Sequence, residues 1–199
     1  ISKENNWFCV RMGKIVSSKL TNNNEQIIDY AFNYQNDSDD ILLYKNCFLN
    51  ICDSSGIIYL GFLNNRNTLR INCNINDLNK PQNNTISLLV KYFDLSLNRY
   101  LTYKEAINRD VMKFKKTSDF INNDIKIIPN TTNEIIDTLN LLITKKVISK
   151  KIDDMSFNTK LSDKLHNNIF EYASNISNNY KSRYSLKYKS KISEVFLSK

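Results

Sequence analysis

The feature that most constrains this chain is a change of pattern between Tyr92 and Lys116, YFDLSLNRYLTYKEAINRDVMKFKK. Ahead of it, apolar residues recur at every second position, as half-buried strands require. Behind it they recur at three and four, as on one face of a helix. Within it a strand is expected to end at Asp94 and a helix to begin at Thr102. Thr102 can accept from the N–H of Glu105, and the Glu105 carboxylate can reach back, which is a capping box. Ala106, Ile107, Val111 and Phe114 then fall on one apolar face. With 199 residues, 41% of them hydrophobic, the chain can bury a core. The expectation is an α+β protein in two parts, a β part over Ile1–Asp94 and a mixed part over Leu95–Lys199.

In the first part the spacing predicts strands over Trp7–Leu20, Gln26–Tyr34, Ile41–Cys52, Ile57–Leu63, Leu69–Ile75 and Thr85–Phe93. Polar turns separate them at Asn22–Asn24, Asn36–Asp40, Asp53–Gly56, Asn64–Asn67 and Asn76–Asn84. Strands at this interval, each followed by turn residues, suggest a β-sandwich. In the second part Phe120–Ile128 reads as a strand stopped by Pro129. Thr131-x-x-Glu134 is a second capping box, opening a helix that carries Ile135, Ile136, Leu139, Leu142 and Ile143. Thr144–Ser149 reads as the end of that helix or as a new strand. Ser156–Asn178 fits either a helix or two short strands. Arg183–Lys189 alternates as a half-buried strand, and Ile192, Val195 and Phe196 suggest a closing helix.

The net charge is +8, with 3 glycines, 2 prolines and a single histidine. Abundant Asn, Ile, Lys and Tyr are what an A/T-rich coding bias favours, so part of the basic surface follows from composition alone. A basic surface otherwise serves nucleic acid, anionic membrane or acidic peptides. Ile1–Val16 lacks a basic flank and a long apolar run, so no secretory leader is expected. No apolar stretch is long enough to span a bilayer. Cys9, Cys47, Cys52 and Cys73 lie in apolar segments without Cys-x-x-Cys spacing, which favours reduced thiols in the cytosol over a disulfide framework or zinc site. Asn36, Asn83, Asn130 and Asn175 fit the glycosylation sequon, a pattern that so Asn-rich a chain produces by chance.

Convergent reactive groups are hard to find. His166 has no partner at ligand spacing, and so few glycines leave no phosphate-cradling loop. Asp39-Asp40 and Asp153-Asp154 sit in polar connectors, where solvated acids are expected. No enzyme activity, cofactor or metal is expected. The basic segment Lys181–Lys191 interleaves Arg183, Lys187 and Lys189 with Tyr184 and Tyr188. It reads either as an amphipathic strand with lysines in water, or as a nucleic-acid surface that stacks bases and neutralises phosphate.

Around Tyr92–Lys116 the sequence resembles a known family. Leu97-Asn98-Arg99-Tyr100-Leu101, the capped helix and Asp110-Val111-Met112-Lys113 are similar to the point where an adaptin appendage (ear) domain, most of all the alpha-adaptin one, passes from its β-sandwich to its platform. The run Arg183-Tyr184-Ser185-Leu186-Lys187-Tyr188-Lys189-Ser190-Lys191 resembles that family's closing strand and helix. The resemblance implies an immunoglobulin-like β-sandwich over residues 1–94 and an α/β platform subdomain over 95–199. It makes Thr144–Ser149 and Ile169–Ser174 strands of the platform sheet.

It further implies a non-enzymatic protein-binding module of a clathrin adaptor in endocytosis and vesicle transport. Such a module is cytoplasmic and peripheral at coated membranes. It joins other adaptor subunits through the parent chain, meets the membrane only indirectly via that complex, and binds no nucleic acid. Its partners are short aromatic, acidic motifs of endocytic accessory proteins, which order on binding and act by avidity. The family's platform pocket uses a Phe and a Trp of the helix and two arginines of later strands. The matching positions here are Met112, Lys115, Ser174 and Ser185, with Phe114 standing in for the Trp if the helix register slips. A second peptide site lies on the side of the sandwich, in the strand region that here holds Phe32 and Tyr34.

Overall fold

The computed structural model describes residues 2–56, 58–79, 85–144 and 191–192. They form a mixed α+β protein with several small sheets, divided into two compact units, Ile1–Cys47 and Phe48–Lys199.

The first unit opens with a short helix α1 (Ser2–Asn5), then pairs β1 (Cys9–Val10) in parallel with β2 (Ile27–Ile28). The helical turn α2 (Tyr30–Asn33) and the helix α3 (Asp37–Asn46) follow. Two expected strands therefore shrink or vanish. In Trp7–Leu20 only Cys9–Val10 pairs, because Arg11 turns inward. Its guanidinium donates to the Ser18 carbonyl (2.8 Å) and to the buried Asp29 carboxylate (3.3 Å). The end of Gln26–Tyr34 is helical, because the Tyr30 hydroxyl donates to Asn36 O and accepts from Asn36 N–H, each at 3.0 Å. The first half of the strand expected over Ile41–Cys52 is α3, and only Asn50–Cys52 is a strand, β3. Asn36 caps that helix by accepting from Asp39 N–H (2.9 Å), and Asp37, Asp39 and Asp40 crowd its positive end. A side-chain cap and three acids in the first turn outweigh the strand preference of a short apolar run.

The second unit begins with β3 (Asn50–Cys52), α4 (Ile58–Leu63), β4 (Thr68–Cys73) and β5 (Thr85–Leu89). It continues through β6 (Lys91–Asp94), β7 (Arg99–Tyr100), α5 (Tyr103–Asn108), α6 (Thr117–Ile121), β8 (Ile125–Ile128), α7 (Thr132–Thr144) and β9 (Lys191–Ile192). One sheet is parallel, in the order β3-β4-β5-β9; the other is antiparallel, in the order β7-β6-β8. The turn expected at Asp53–Gly56 does not join two paired strands, and Ile58–Leu63 is a helix where a strand was expected. Adjacent parallel strands cannot be joined by a tight turn, and α4 is the crossover between β3 and β4. Gly61 lets α4 lie close to the sheet, since a Cβ there would come within 2.7 Å of Asn50 Nδ2 and 3.3 Å of Thr68 Oγ1.

Parallel strands covered on both faces lose the simple alternation of a half-buried strand. Every residue of β5 is buried, and in β4 both Leu69 and Arg70 are fully enclosed. In a half-buried strand over Leu69–Ile75, Arg70 would alternate with Leu69 and face water. Instead its guanidinium donates to Ser54 Oγ (3.0 Å) and to Asp77 O (3.2 Å), while Ser54 donates to Asp77 Oδ2 (2.7 Å). The expected long strand Thr85–Phe93 is cut at Val90, whose N–H donates to Cys73 O (2.9 Å), so its halves enter different sheets.

The expected boundary at Asp94/Leu95 falls inside a sheet. β6 pairs with β7 on one side and with β8 on the other. One hydrophobic cluster joins Cys73, Leu89 and Tyr92 to Ala106, Val111 and Ile125. Helices at 30–33, 37–46 and 58–63, together with a parallel sheet, stand where antiparallel sandwich strands were expected. Of the strand expected over Phe120–Ile128, Phe120 and Ile121 end α6, residues 122–124 turn, and Ile125–Ile128 form β8. Ile192 lies in β9, paired with Ser87, rather than in a closing helix. The expectations for residues 145–149, Ser156–Asn178 and Arg183–Lys189 lie outside the described residues, as do Val195 and Phe196.

Candidate functional site

Both expected capping boxes are present. Thr102 Oγ1 accepts from Glu105 N–H (3.2 Å) and Glu105 Oε2 from Thr102 N–H (2.8 Å). Thr131 and Glu134 make the same exchange at 3.3 and 2.9 Å. The first box fixes the start of α5 beside the β6–β7 hairpin, and α5 ties that hairpin down twice. The Arg99 guanidinium grips Glu105 in a fork, at 2.7 and 3.1 Å. Arg109 donates to Asp94 Oδ2, while Asp94 Oδ1 accepts from Ser96 Oγ (2.7 Å) and Leu97 N–H (2.8 Å). These donors favour the charged forms. The Ser96 hydroxyl and the Leu97 amide, with Arg109, hold the Asp94 carboxyl down at about 2. Arg99, with the Thr102 amide, holds Glu105 at about 2.

The fixed turn Leu95–Asn98 uses the left-handed conformation at Asn98 (φ 49°), which asparagine tolerates. It presents Leu95 and Leu97 to solvent, 54% and 50% exposed. The α6–β8 turn adjoins it, because Leu95 N–H donates to Asp124 O (2.8 Å). Ile121, 65% exposed, is the last residue of α6 and leads into that second turn. One end of the antiparallel sheet thus carries three outward apolar side chains on a backbone held by hydrogen bonds.

A face of the same sheet is also open. Alternation puts Tyr92 and Asp94 on the buried side of β6 and Phe93 on the other. Phe93 lies opposite both Tyr100 and Lys126. The Phe93 and Tyr100 rings meet edge to face with centroids 5.2 Å apart, and Tyr100 is 54% exposed. Lys126 is exposed beside them. An aromatic pair flanked by an exposed ammonium can take a flat ring and an anion together.

The structure separates the residues that the resemblance assigned to the platform pocket. Met112 is 4% exposed and belongs to the core, so it is not a surface residue. Lys115 is exposed, and its N–H donates to Asp119 Oδ2 (2.7 Å). Phe114 is half-buried and meets Phe120 edge to face at 5.1 Å; Phe120 in turn stacks on Tyr92 at 6.4 Å. It is one end of an internal aromatic row. Ser174 and Ser185 lie outside the described residues. Phe32 and Tyr34 are exposed in the first unit, but on α2 and its C-cap rather than on a strand.

The hairpin end and the Phe93 face had signals in the sequence. Asp94-Leu-Ser96 is a turn in which a carboxylate collects local donors, and Leu95 and Leu97 alternate through it where polar residues are usual. The Arg70–Ser54–Asp77 group, in which Arg70 is fully buried and Ser54 and Asp77 are partly exposed, holds the turn Ile75–Asn79 against β4. Burial pushes the neighbouring Cys73 thiol up to about 11, which keeps it protonated and unreactive at neutral pH. Among the described residues no group of His, Cys, Asp and Glu is placed to hold a metal ion. Comparison with protein-family models, with curated proteins and with solved structures finds no match to this chain.

Proposed function

We propose that this chain is a recruitment module that binds short peptide motifs on the open face of its antiparallel sheet. This is the role implied by its resemblance to adaptin appendages in vesicle transport. The observation that carries it is the Phe93–Tyr100 pair with Lys126 alongside. A peptide Phe packs against the exposed Tyr100 ring, and the acidic residue of the same motif meets the Lys126 ammonium. The net charge of +8 favours encounter with acidic segments. A disordered motif loses freedom when it binds, so each contact is weak and several motifs act together.

The proposal takes the mode of recruitment from the resemblance and not its sandwich, since residues 30–33, 37–46 and 58–63 are helical. It moves the site from Met112, Phe114 and Lys115 to Phe93, Tyr100 and Lys126. The parent chain would bring the module to coated membranes, and clathrin-adaptor accessory proteins are the partner class.

Titration of a fluorescent peptide containing Asp-Pro-Phe tests it. Binding should be lost in Tyr100→Ala and in Lys126→Glu and kept in Lys115→Ala. Wild-type protein that ignores the peptide, or equal binding by Tyr100→Ala and Lys126→Glu, refutes the proposal. So does tight, steeply salt-dependent binding of a single-stranded oligonucleotide in place of the peptide. That result would favour a nucleic-acid surface involving the Arg183–Lys191 segment.

A further inference from the structure

The two sheets of the second unit treat their edges differently. At the edges of the antiparallel sheet, β7 carries Arg99, while β8 carries Lys126 and stops at Pro129. Charges and proline guard an edge strand, which otherwise offers a row of unpaired N–H and C=O groups to another chain. β3 has no such guard. Phe48-Leu49-Asn50-Ile51-Cys52 contains neither a charge nor a proline. Among the described residues β3 is the last strand of the parallel sheet on its side.

The backbone of β3 is open outward. Asn50 N–H donates to Asn67 O at 2.8 Å, one residue ahead of Thr68, its partner on β4. Asn50 therefore turns its N–H and C=O toward β4, Cys52 does the same two residues on, and Ile51 turns its own the other way. Among the described residues neither backbone group of Ile51 has a hydrogen-bond partner. Leu49 and Asp53 flank it at the same alternation.

The side chains define what fits there. Ile51 lies beside Leu69, and Leu69 beside Ile86. Leu69 and Ile86 are 0% exposed, whereas Ile51 is 46% exposed. One apolar row thus crosses the sheet and is left uncovered at its last member. The rows on either side are buried and mostly polar: Asn50 with Thr68 and Thr85, and Cys52 with Arg70 and Ser87. Strands of a parallel sheet are ordinarily covered on both faces. A strand continuing this sheet would be apolar beside Ile51 and small or polar beside Asn50 and Cys52.

We propose that β3 is a strand-addition site. An extended segment of a partner polypeptide, with an apolar residue flanked by small polar ones, pairs with β3 and becomes the next strand of the sheet. The site uses none of Phe93, Tyr100 and Lys126, so this proposal and the peptide site on the antiparallel sheet fail separately.

The test is amide hydrogen exchange of the full chain, read residue by residue. The probe is a synthetic heptapeptide in which Thr and Val alternate between two terminal lysines. In the chain alone the Ile51 amide should exchange fast. With the peptide at saturation its exchange should slow by about tenfold or more. N-methylation of alternate peptide amides should abolish the effect for one set and spare it for the other, since every second residue of a strand faces its neighbour. Ile51→Lys guards the edge and should lose the peptide, while protected Leu69 and Leu88 amides report an intact fold. The proposal is overturned by an Ile51 amide already protected in the chain alone, which would mean that the chain covers its own edge. It is equally overturned by Ile51 exchange that the peptide leaves unchanged, or by an Ile51→Lys variant that binds as well as wild type. Self-association that Ile51→Lys abolishes in the absence of peptide would make the occupant a second copy, and also overturns it.

Discussion

Asn72 and Asn130, 58 residues apart in sequence, exchange two hydrogen bonds between side chain and backbone. Asn72 N–H donates to Asn130 Oδ1 at 2.6 Å, and Asn130 N–H donates to Asn72 Oδ1 at 2.7 Å. Asn72 sits where β4 carries one residue more than β5, and its φ is 53°. Asn130 also donates through Nδ2 to Leu89 O at 2.7 Å, so it stitches both strands to the segment that leads into α7. A bulge leaves backbone groups without ladder partners, and here one asparagine supplies them.

Asn130→Ala removes the two bonds made by its side chain and strands the Asn72 amide and the Leu89 carbonyl. It should cost about 2–4 kcal/mol, given roughly 1–3 kcal/mol for each buried group left unpaired. Asn130→Asp keeps the acceptor and loses the donor to Leu89, and should cost less. Urea unfolding of the two variants gives the order. The same geometry closes the sequon at Asn130, because a glycan on Nδ2 would displace the bond to Leu89 O.

Met112 and Lys115 are neighbours in sequence with opposite environments. Met112→Ala empties core volume and should destabilise by about 2–5 kcal/mol, whereas Lys115→Ala should stay within about 0.5 kcal/mol. Denaturant midpoints check both. A null effect at Met112 would contradict its place in the core.

The hairpin clamp should give way in acid. Asp94 is held at about 2 against an ordinary value of 3.8, and Glu105 at about 2 against 4.5. A depressed carboxyl contributes stability that is fully present above its unfolded value and lost as pH falls toward the folded one. Stability should therefore decline between pH 4.5 and pH 2. Asp94→Asn should be less stable than wild type at neutral pH and flatter across that window. Unfolding free energy measured against pH would show an unchanged slope if Asp94 were free in solution.

Arg70 is fully buried with Asp77 Oδ1 3.9 Å from its guanidinium, so removing Asp77 takes a carboxylate away from a buried cation. Asp77→Ala should cost about 3 kcal/mol, in the range for breaking a buried ion pair. A double substitution, Arg70→Met with Asp77→Ala, should recover part of that loss. Thermal unfolding of the single and double variants measures the coupling. An additive pair would mean that the contact contributes nothing.

The local signals were legible wherever a few neighbouring residues settle the geometry. The capping boxes at Thr102 and Thr131, the apolar face of Ala106 and Ile107, the stop at Pro129 and the burial of Leu139 and Leu142 all follow from short-range bonds and helical spacing. The mixed α+β class followed from the same signals. The candidate surface was only half legible. Leu95, Leu97 and Tyr100 stand in the stretch that organises the chain, yet the partnership of Phe93 with Lys126 depends on pairing across more than 30 residues.

By itself the sequence determined where helices with capping boxes begin, that Ala106, Ile107, Leu139 and Leu142 are buried, and the balance of charge. Tertiary structure alone decided that Ile58–Leu63 is a helix and that Arg70 is enclosed. It also decided that Met112 points inward while Leu95, Leu97 and Ile121 point out. The reason is physical. A six-residue apolar run satisfies a strand or a buried helix equally well. The choice falls to whichever arrangement pairs the backbone of β3, β4 and β5, and those partners lie far away along the chain.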